Sequence, residues 1–279
     1  ALNLVQRDRE RKKSAILDNI IPATVTQTAV EAEVEEVDTP PPPKVVPLIN
    51  EDFHEWAAAY CDTKFNLIHC DFPYGINVAD SPRQNSGIQE YYEDSKDVYF
   101  ALLDTLEMAM SNVVAESAHM VFWFSMDYYQ LTLDRLTAMG WKVNPFPLIW
   151  HKSDNAGIAP DPQRTPRRTY ETAFFCTRGD RKLTQAGALA NSFAFPGKKG
   201  PDGIHLSEKP VPMLTHFLRM ICDDYSRVLD PTCGSGNALK AATSCGAPTV
   251  LGIEKERAFY ETSCLRYFGD DNAAGDDAR

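Results

Sequence analysis

Two stretches of this chain bring together residue types that can do chemistry at the edge of a fold. The first is Arg227-Val228-Leu229-Asp230-Pro231-Thr232-Cys233-Gly234-Ser235-Gly236-Asn237, an apolar run that passes into a glycine-rich turn and then into a helical period. Glycines there let the backbone approach a ligand closely, and the helix N-terminus turns its free N–H groups toward it. Val250-Leu251-Gly252-Ile253 predicts the next strand. Glu254 ends it 18 residues after Gly236, where a doubly wound fold places an acid that accepts hydrogen bonds from ribose hydroxyls. The loop lacks the full G-x-G-x-x-G pattern, so its ligand need not be a dinucleotide. A tight strand-to-helix turn with no ligand would use the same glycines, and Glu254 would also fit a surface loop. The second stretch is Asp71-Phe72-Pro73-Tyr74, directly after a predicted strand and so at the carboxyl edge of the sheet, where open α/β folds bind ligands. It sets a carboxylate acceptor beside an aromatic stacking face, although ordinary loop residues would give the same four letters.

The elements that must position these stretches alternate. Phe65–Cys70 predicts a buried strand, residues 97–116 carry a helical apolar period, and His119–Phe124 predicts a second strand. A helix over 127–139 stops at Gly140, and a strand follows in Pro147–Trp150. Helix 208–222, strand 226–229, helix 236–245 and strand 248–253 complete the series. This alternation predicts an α/β fold: a doubly wound, mostly parallel sheet with helices on both faces. Between the strand at 147 and the helix at 208 lies a Pro- and Gly-rich segment with one strand-like run, Glu171–Cys176. An insertion of that length in a compact domain is more often functional than decorative.

Residues 1–21 predict a short basic helix, and 22–47 an acidic, proline-rich linker whose Pro40–Pro43 favours an extended polyproline II spacer. The folded domain is expected to begin near Val45 and to occupy 48–279, with an acidic tail over 270–279.

A chain of 279 residues can bury one substantial core, and 43% apolar against 24% charged residues is the balance of an ordinary soluble protein. No apolar run approaches the roughly 18–20 residues needed to cross a bilayer, and Ala1–Lys13 lacks the apolar centre of a signal peptide, so a cytoplasmic protein is expected. The seven cysteines are scattered and never paired as C-x-x-C, which argues against a disulfide framework and a structural zinc site. No metal-like cluster emerges from the histidines either. A net charge of −11 opposes phosphate binding, yet nine of the acids lie in the two predicted tails, whereas residues 151–200 hold nine Lys and Arg against four acids.

The D-P-x-x-G-S-G of the first stretch resembles the S-adenosylmethionine loop of the DNA amino methyltransferases. Asp230, Pro231, Gly234, Ser235 and Gly236 match it, while Thr232 stands where the family usually has Phe and Asn237 where it often has Thr. Asp71-Phe72-Pro73-Tyr74 resembles the catalytic D-P-P-Y of the same family, with Phe72 in place of the first proline. Phe keeps the main-chain carbonyl and gives up the backbone rigidity. His205-Leu206-Ser207-Glu208-Lys209-Pro210 resembles H-P-T-E-K-P, which implies that His205, Ser207 and Lys209 line the cofactor pocket. Asp52, 19 residues before Asp71, has the spacing of an acid near the cofactor's adenine, and would equally be the N-cap of a helix over 53–60. Leu148-Ile149-Trp150-His151-Lys152 resembles the family's I-W-x-K strand, with Trp150 also suited to a core. Motif order is similar to the beta class, the catalytic motif first, the basic segment next and the cofactor loop last. The resemblance covers residues 48–268.

What the resemblance implies is a Rossmann-like methyltransferase of bacterial or phage type that takes S-adenosylmethionine, needs no metal and acts on double-stranded DNA, in a restriction-modification setting, with a homodimer left open. An exocyclic amino nitrogen is a poor nucleophile because its lone pair is delocalised into the ring. The Asp71 carboxylate and the Phe72 carbonyl would each accept one amino N–H and draw that lone pair out, with Pro73 shaping the turn and Tyr74 stacking on a base rotated out of the duplex. Asp at position 71 favours adenine N6. Cytosine N4 in DNA, adenine N6 in RNA, and a catalytically silent DNA-binding subunit stay open. DNA contact is expected in 151–204, with Arg164, Arg167, Arg168 and Arg178 as candidates for phosphate or guanine, each of which would also fit a solvated loop. Tyr91 and Tyr92 would close over the base or simply pack.

Overall fold

Apolar side chains pointing alternately to two sides decide this architecture. In the strand β2 (Phe65–Cys70), Leu67 enters one core cluster and Ile68 the other. In β3 (Val114–Phe124), Met120, Phe122 and Phe124 face one side while Val121 and Trp123 face the opposite one. Strands apolar on both faces must be covered on both, which is the condition for a central sheet between two layers of helices.

The computed structural model describes residues 48–76, 93–157, 159, 161–185, 189–197 and 208–268. The proposed basic helix, linker and acidic tail, and with them Tyr91, Tyr92, His205 and Ser207, lie outside the described residues. Besides β2 and β3, the elements in chain order are β1 (Leu48–Ile49), α1 (Phe53–Ala59), α2 (Lys96–Ala109), α3 (Tyr129–Ala138), β4 (Lys142–Val143), β5 (Leu148–Lys152), β6 (Tyr170–Arg178), β7 (Ser192–Phe195), α4 (Val211–Leu218), β8 (Arg227–Asp230), α5 (Asn237–Ser244), β9 (Thr249–Ile253) and α6 (Arg257–Phe268). A short 3₁₀ turn, Met126–Tyr128, joins β3 to α3.

The strands form one sheet in the order β1-β9-β8-β2-β3-β6-β5-β7, with β4 beside β6. Neighbours are parallel except where β6 is a partner: it runs antiparallel to β3, β4 and β5. The doubly wound, mostly parallel α/β sheet expected from the sequence is therefore what forms. From the adjacent strands β2 and β8 the chain leaves in opposite directions. β2 crosses through α2 to β3, and α2 packs Leu102, Leu103 and Leu106 against Ile68 and Phe122. β8 crosses through α5 to β9, and α5 packs Ala238, Ala241 and Ala242 on the other face with Val228 and Leu67. Two crossovers diverging from neighbouring strands leave a crevice at their carboxyl ends, the place where open α/β sheets bind ligands.

Two expectations need correction. The helical period read over 97–116 breaks at Ala109, because Val113 and Val114 are buried at the start of β3, where Phe65 N–H donates to the Val113 carbonyl at 2.8 Å. The segment 151–204 is also not simply a loop-rich insertion: β6 lies inside the sheet beside β3 and β7 forms one end of it.

Candidate active site

The glycine-rich turn follows β8. Gly234 and Gly236 have φ of +50° and +72°, a left-handed backbone that side chains with a Cβ rarely adopt, and Gly236 is the N-cap of α5. Glu254, 8% exposed at the end of β9, accepts from Gly234 N–H with Oε2 at 2.9 Å and from Glu256 N–H with Oε1 at 2.8 Å. Burial raises its pKa against the pull of those two N–H groups. Glu254 is thus a strut of the turn itself, with lone pairs left on the cavity side.

Asp52 is a helix cap that also faces the cavity. Its Oδ1 accepts from His54 N–H at 2.7 Å as the N-cap of α1, and it lines the same cavity as the turn.

That cavity, of about 250 Å³, is bounded on one side by Asp230, Pro231, Thr232, Gly234, Ser235 and Glu254, and on the other by Asp71, Phe72, Pro73 and Tyr74. The two sequence stretches, some 160 residues apart, share one chamber because β2 and β8 are neighbours. Both family departures in the turn have hydrogen-bond partners, Thr232 in the second stretch and Asn237 in the Glu208-Lys209 segment. The Thr232 hydroxyl donates to the Asp71 carbonyl at 3.3 Å, and Asn237 Nδ2 donates to the Lys209 carbonyl at 2.9 Å and to Glu208 Oε1 at 2.7 Å. The departure at Phe72 is explained by packing: its ring, 1% exposed, meets Phe122 edge-on at 5.5 Å between centroids and lies 6.2 Å from Phe53. Burial of the ring anchors a backbone that proline would otherwise have stiffened.

Beneath the turn, His69 joins the two strands. The Trp123 indole can only donate, and it donates to His69 Nε2 at 3.0 Å; His69 Nδ1 therefore carries the proton and donates to Asp230 Oδ2 at 2.9 Å.

The Asp71 carboxylate is held by Lys209, whose Nζ lies 2.8 Å from each of its oxygens. Lys209 is 4% exposed and also reaches Glu171 Oε2 at 3.1 Å, with the rings of Tyr74 and Trp123 at 5.2 and 5.1 Å from its ammonium. Glu171 in turn accepts from the Tyr74 hydroxyl at 3.0 Å and pairs with Lys152 at 2.7 Å. Burial raises the pKa of Asp71 against the opposing pull of Lys209. Burial also works against ionising Glu171, but Lys209 and Lys152 outweigh it and hold that carboxyl at about 2. Lys209, expected to face the cofactor, is thus first of all the counter-ion of Asp71. Glu171 was seen from the sequence only as the head of an apolar run and an acid in a basic segment. A charge opening a strand otherwise suited to the core was the available signal.

Of the four arginines, three lie on the cavity side of the sheet. Arg164 pairs with Asp161 at 2.7 Å, Arg167 donates to the Asn155 carbonyl at 3.2 Å, and Arg168 lies 3.6 Å from Asp127, which follows the carboxyl end of β3. Arg178 does not join them: it pairs in register with Ala118, toward the opposite edge of the sheet, and donates to the Met110 carbonyl at 3.5 Å. The reason is the antiparallel course of β6, which carries the end of the basic segment away from the cavity. Among the described residues no group of His, Cys, Asp or Glu is arranged to hold a metal ion, and no helix is long and apolar enough to cross a membrane.

A doubly wound sheet with an acidic cavity at its switch point, a glycine-rich turn on one wall and an Asp-x-Pro-Tyr turn on the other defines the class. The DNA methylase family model matches residues 65–264, and the chain belongs to that family, the N6/N4 DNA methyltransferases. Among solved structures, the chain resembles the M1.HpyAVI–SAM complex at 18% identity and a TM-score of 0.61, over 79% of this chain and 98% of that one. It also resembles the cytosine-N4-specific PvuII DNA methyltransferase, at 12% identity and a TM-score of 0.60, over 80% and 86% of the two chains. No curated protein matches. The family uses S-adenosylmethionine. The chamber fits such a group: the left-handed Gly234 and the N-terminus of α5 form one wall, Phe53, Ile253 and Phe259 give an apolar lining, and Asp52 and Glu254 supply carboxylates for hydroxyl or amino donors.

Proposed function

We propose that this chain transfers a methyl group from S-adenosylmethionine to the N6 amino group of adenine in DNA, with the target base rotated out of the duplex into the cavity. The observation that carries the reading is the single chamber lined by both Asp71-Phe72-Pro73-Tyr74 and the Asp230–Ser235 turn.

When bound, S-adenosylmethionine supplies a methyl group made electrophilic by its sulfonium. Asp230, Pro231, Gly234, Ser235, Gly236, Glu254 and Asp52 would hold it, with His205, Ser207 and Lys209 assigned to the same pocket by the family motif. The chain's part of the chemistry is alignment and charge. The Asp71 carboxylate and the Phe72 carbonyl accept the two amino N–H groups, which localises the nitrogen lone pair and aims it. Asp71, made more basic by burial, then takes up the proton that the nitrogen sheds as it is methylated. Tyr74 presents its ring to the base, the hydroxyl tethered by Glu171. Arg164, Arg167 and Arg168 contact the DNA backbone beside the cavity, and the recognition region narrows from 151–204 to the segment before β6.

Cytosine N4 offers Asp71 the same amino group, and the likeness to the PvuII enzyme favours it as the second reading. The test is transfer of labelled methyl from S-adenosylmethionine to DNA, followed by digestion to nucleosides. N6-methyldeoxyadenosine is the expected product. N4-methyldeoxycytidine would replace the first reading by the second, and an unlabelled digest would overturn both.

A further inference from the structure

Asp71 lines the cavity with a cationic partner beside both of its oxygens. Lys209 places one N–H near each oxygen of its carboxylate, at 2.8 Å, which leaves lone pairs for a further donor but draws the negative charge toward the ammonium, so an incoming amino group has to compete with Lys209 for it. Lys209 cannot respond by swinging into water, since it is 4% exposed and enclosed between the Tyr74 and Trp123 rings. A buried ammonium stripped of its carboxylate is strongly unfavourable unless another anion takes it. One is in reach: Glu171 Oε2 lies 3.1 Å from the same ammonium. Glu171 is itself fixed, by Lys152 at 2.7 Å and by the Tyr74 hydroxyl at 3.0 Å, and it comes to this end of the sheet because β6 runs antiparallel to β3.

We propose that Glu171 is a positioning residue for methyl transfer: it takes over the Lys209 ammonium when the substrate amino group enters, and so releases the Asp71 carboxylate to grip that group. The inference rests on the methyltransferase reading above and extends it to the residue that resets the catalytic carboxylate. The two acids and two lysines, Asp71, Glu171, Lys152 and Lys209, balance in charge. The ammonium therefore shifts between two anions with no net charge entering or leaving the buried cluster. Without Glu171, Lys209 has a single partner and stays locked on Asp71.

The test is single-turnover transfer of labelled methyl to DNA by the full chain at saturating S-adenosylmethionine. E171Q is expected to slow transfer by about a hundredfold, the cost of a misplaced catalytic group, with the affinity for S-adenosylmethionine unchanged. The groups facing Asp71 are Lys209, His69, Glu171 and Tyr74, with Lys152 behind Glu171. Removing the negative charge of Glu171 lowers the Asp71 pKa, so the acid limb of the rate profile moves to lower pH, which a merely structural role would not produce. E171D, retaining the charge on a shorter arm, is expected to fall between wild type and E171Q with the acid limb unmoved, and if E171Q fails to fold it carries the test through its slower transfer and the disappearance of that loss in the K209M background. In a K209M background the E171Q loss disappears, because Glu171 acts through Lys209. Wild-type rates in E171Q, an unmoved acid limb in E171Q, or equal losses in both backgrounds would overturn the proposal while leaving the methyltransferase reading intact. A wild-type chain that methylates no DNA would overturn both.

Discussion

Replacing Lys209 with Met keeps a long unbranched side chain and deletes an ammonium that touches both Asp71 and Glu171. In the wild type the cluster holds two carboxylates against two lysines; in the variant, Lys152 alone faces both acids, and it touches only Glu171. Asp71 then stands as an unpaired charge in a chamber whose burial already raises its pKa. Breaking a buried pair in this way costs about 3–5 kcal/mol. For a domain of this size each kcal/mol moves the melting temperature by roughly 2–4 °C, so a fall of about 6–12 °C is the lower expectation. The sign of the pH dependence is fixed as well. In the variant both folded-state pKa values rise toward or above their unfolded values, and an acid with a raised folded pKa gains stability as pH falls, the gain fading as pH rises through that pKa. In the wild type Glu171 is held at about 2, so its contribution is present above the ordinary carboxylate range and is lost only as pH falls from there through about 2. Thermal melts of both proteins between pH 8 and pH 5 should therefore show the gap narrowing toward acid. A gap that stays constant with pH, or one below about 1 kcal/mol, would refute the claim that Lys209 is the counter-ion on which both carboxylates depend.

Three further outcomes are expected. Asp71→Ala should abolish methyl transfer while calorimetry finds S-adenosylmethionine affinity within about tenfold, because the proposed partner of Asp71 is the amino group and not the cofactor; a loss of binding as large as that of Gly234→Leu would contradict this division. A Cβ at Gly252 would stand 2.5 Å from Leu239 Cδ1 and 2.8 Å from Cys233 Sγ. Gly252→Val should accordingly push Cys233 and the turn outward, destabilise the protein by about 1–3 kcal/mol and weaken cofactor binding, and a variant that binds normally would show that the turn is not held from behind. Paired Arg167→Glu and Arg168→Glu substitutions should lower DNA affinity and reduce the salt dependence of binding in filter or fluorescence titrations, whereas Arg178→Glu should leave both unchanged. Equal effects from Arg178 would place the DNA on the wrong edge of the sheet.

Why Glu171 escaped the sequence while Asp71, Asp230 and Glu254 did not follows from strand direction. In a parallel sheet, residues after the carboxyl end of each strand gather at one edge, so Asp71 after β2, Asp230 ending β8 and Glu254 after β9 could be assigned to a common edge from their positions in apolar runs. That rule carries the opposite instruction for an antiparallel strand, whose first residues reach the site. Nothing in Glu171–Cys176 reveals direction, because direction is set by pairing with β3 and β5, where Phe124 meets Thr172 and Trp150 meets Glu171. The same reversal puts Arg178, expected with the other arginines, at the far end of the strand from Glu171. Strand membership of β6 was legible because Ala173, Phe174 and Cys176 are core residues, and core residues announce themselves by apolarity. The partner of a buried charge is not announced in this way. Lys209 could be assigned to the pocket from its motif, yet its pairing with two acids from β2 and β6, 138 and 38 residues earlier in the chain, is a product of the sheet order alone. Antiparallel β6 thus delivers the carboxylate of Glu171 to the same ammonium as that of Asp71, and a parallel strand in its place would have carried Glu171 to the opposite edge.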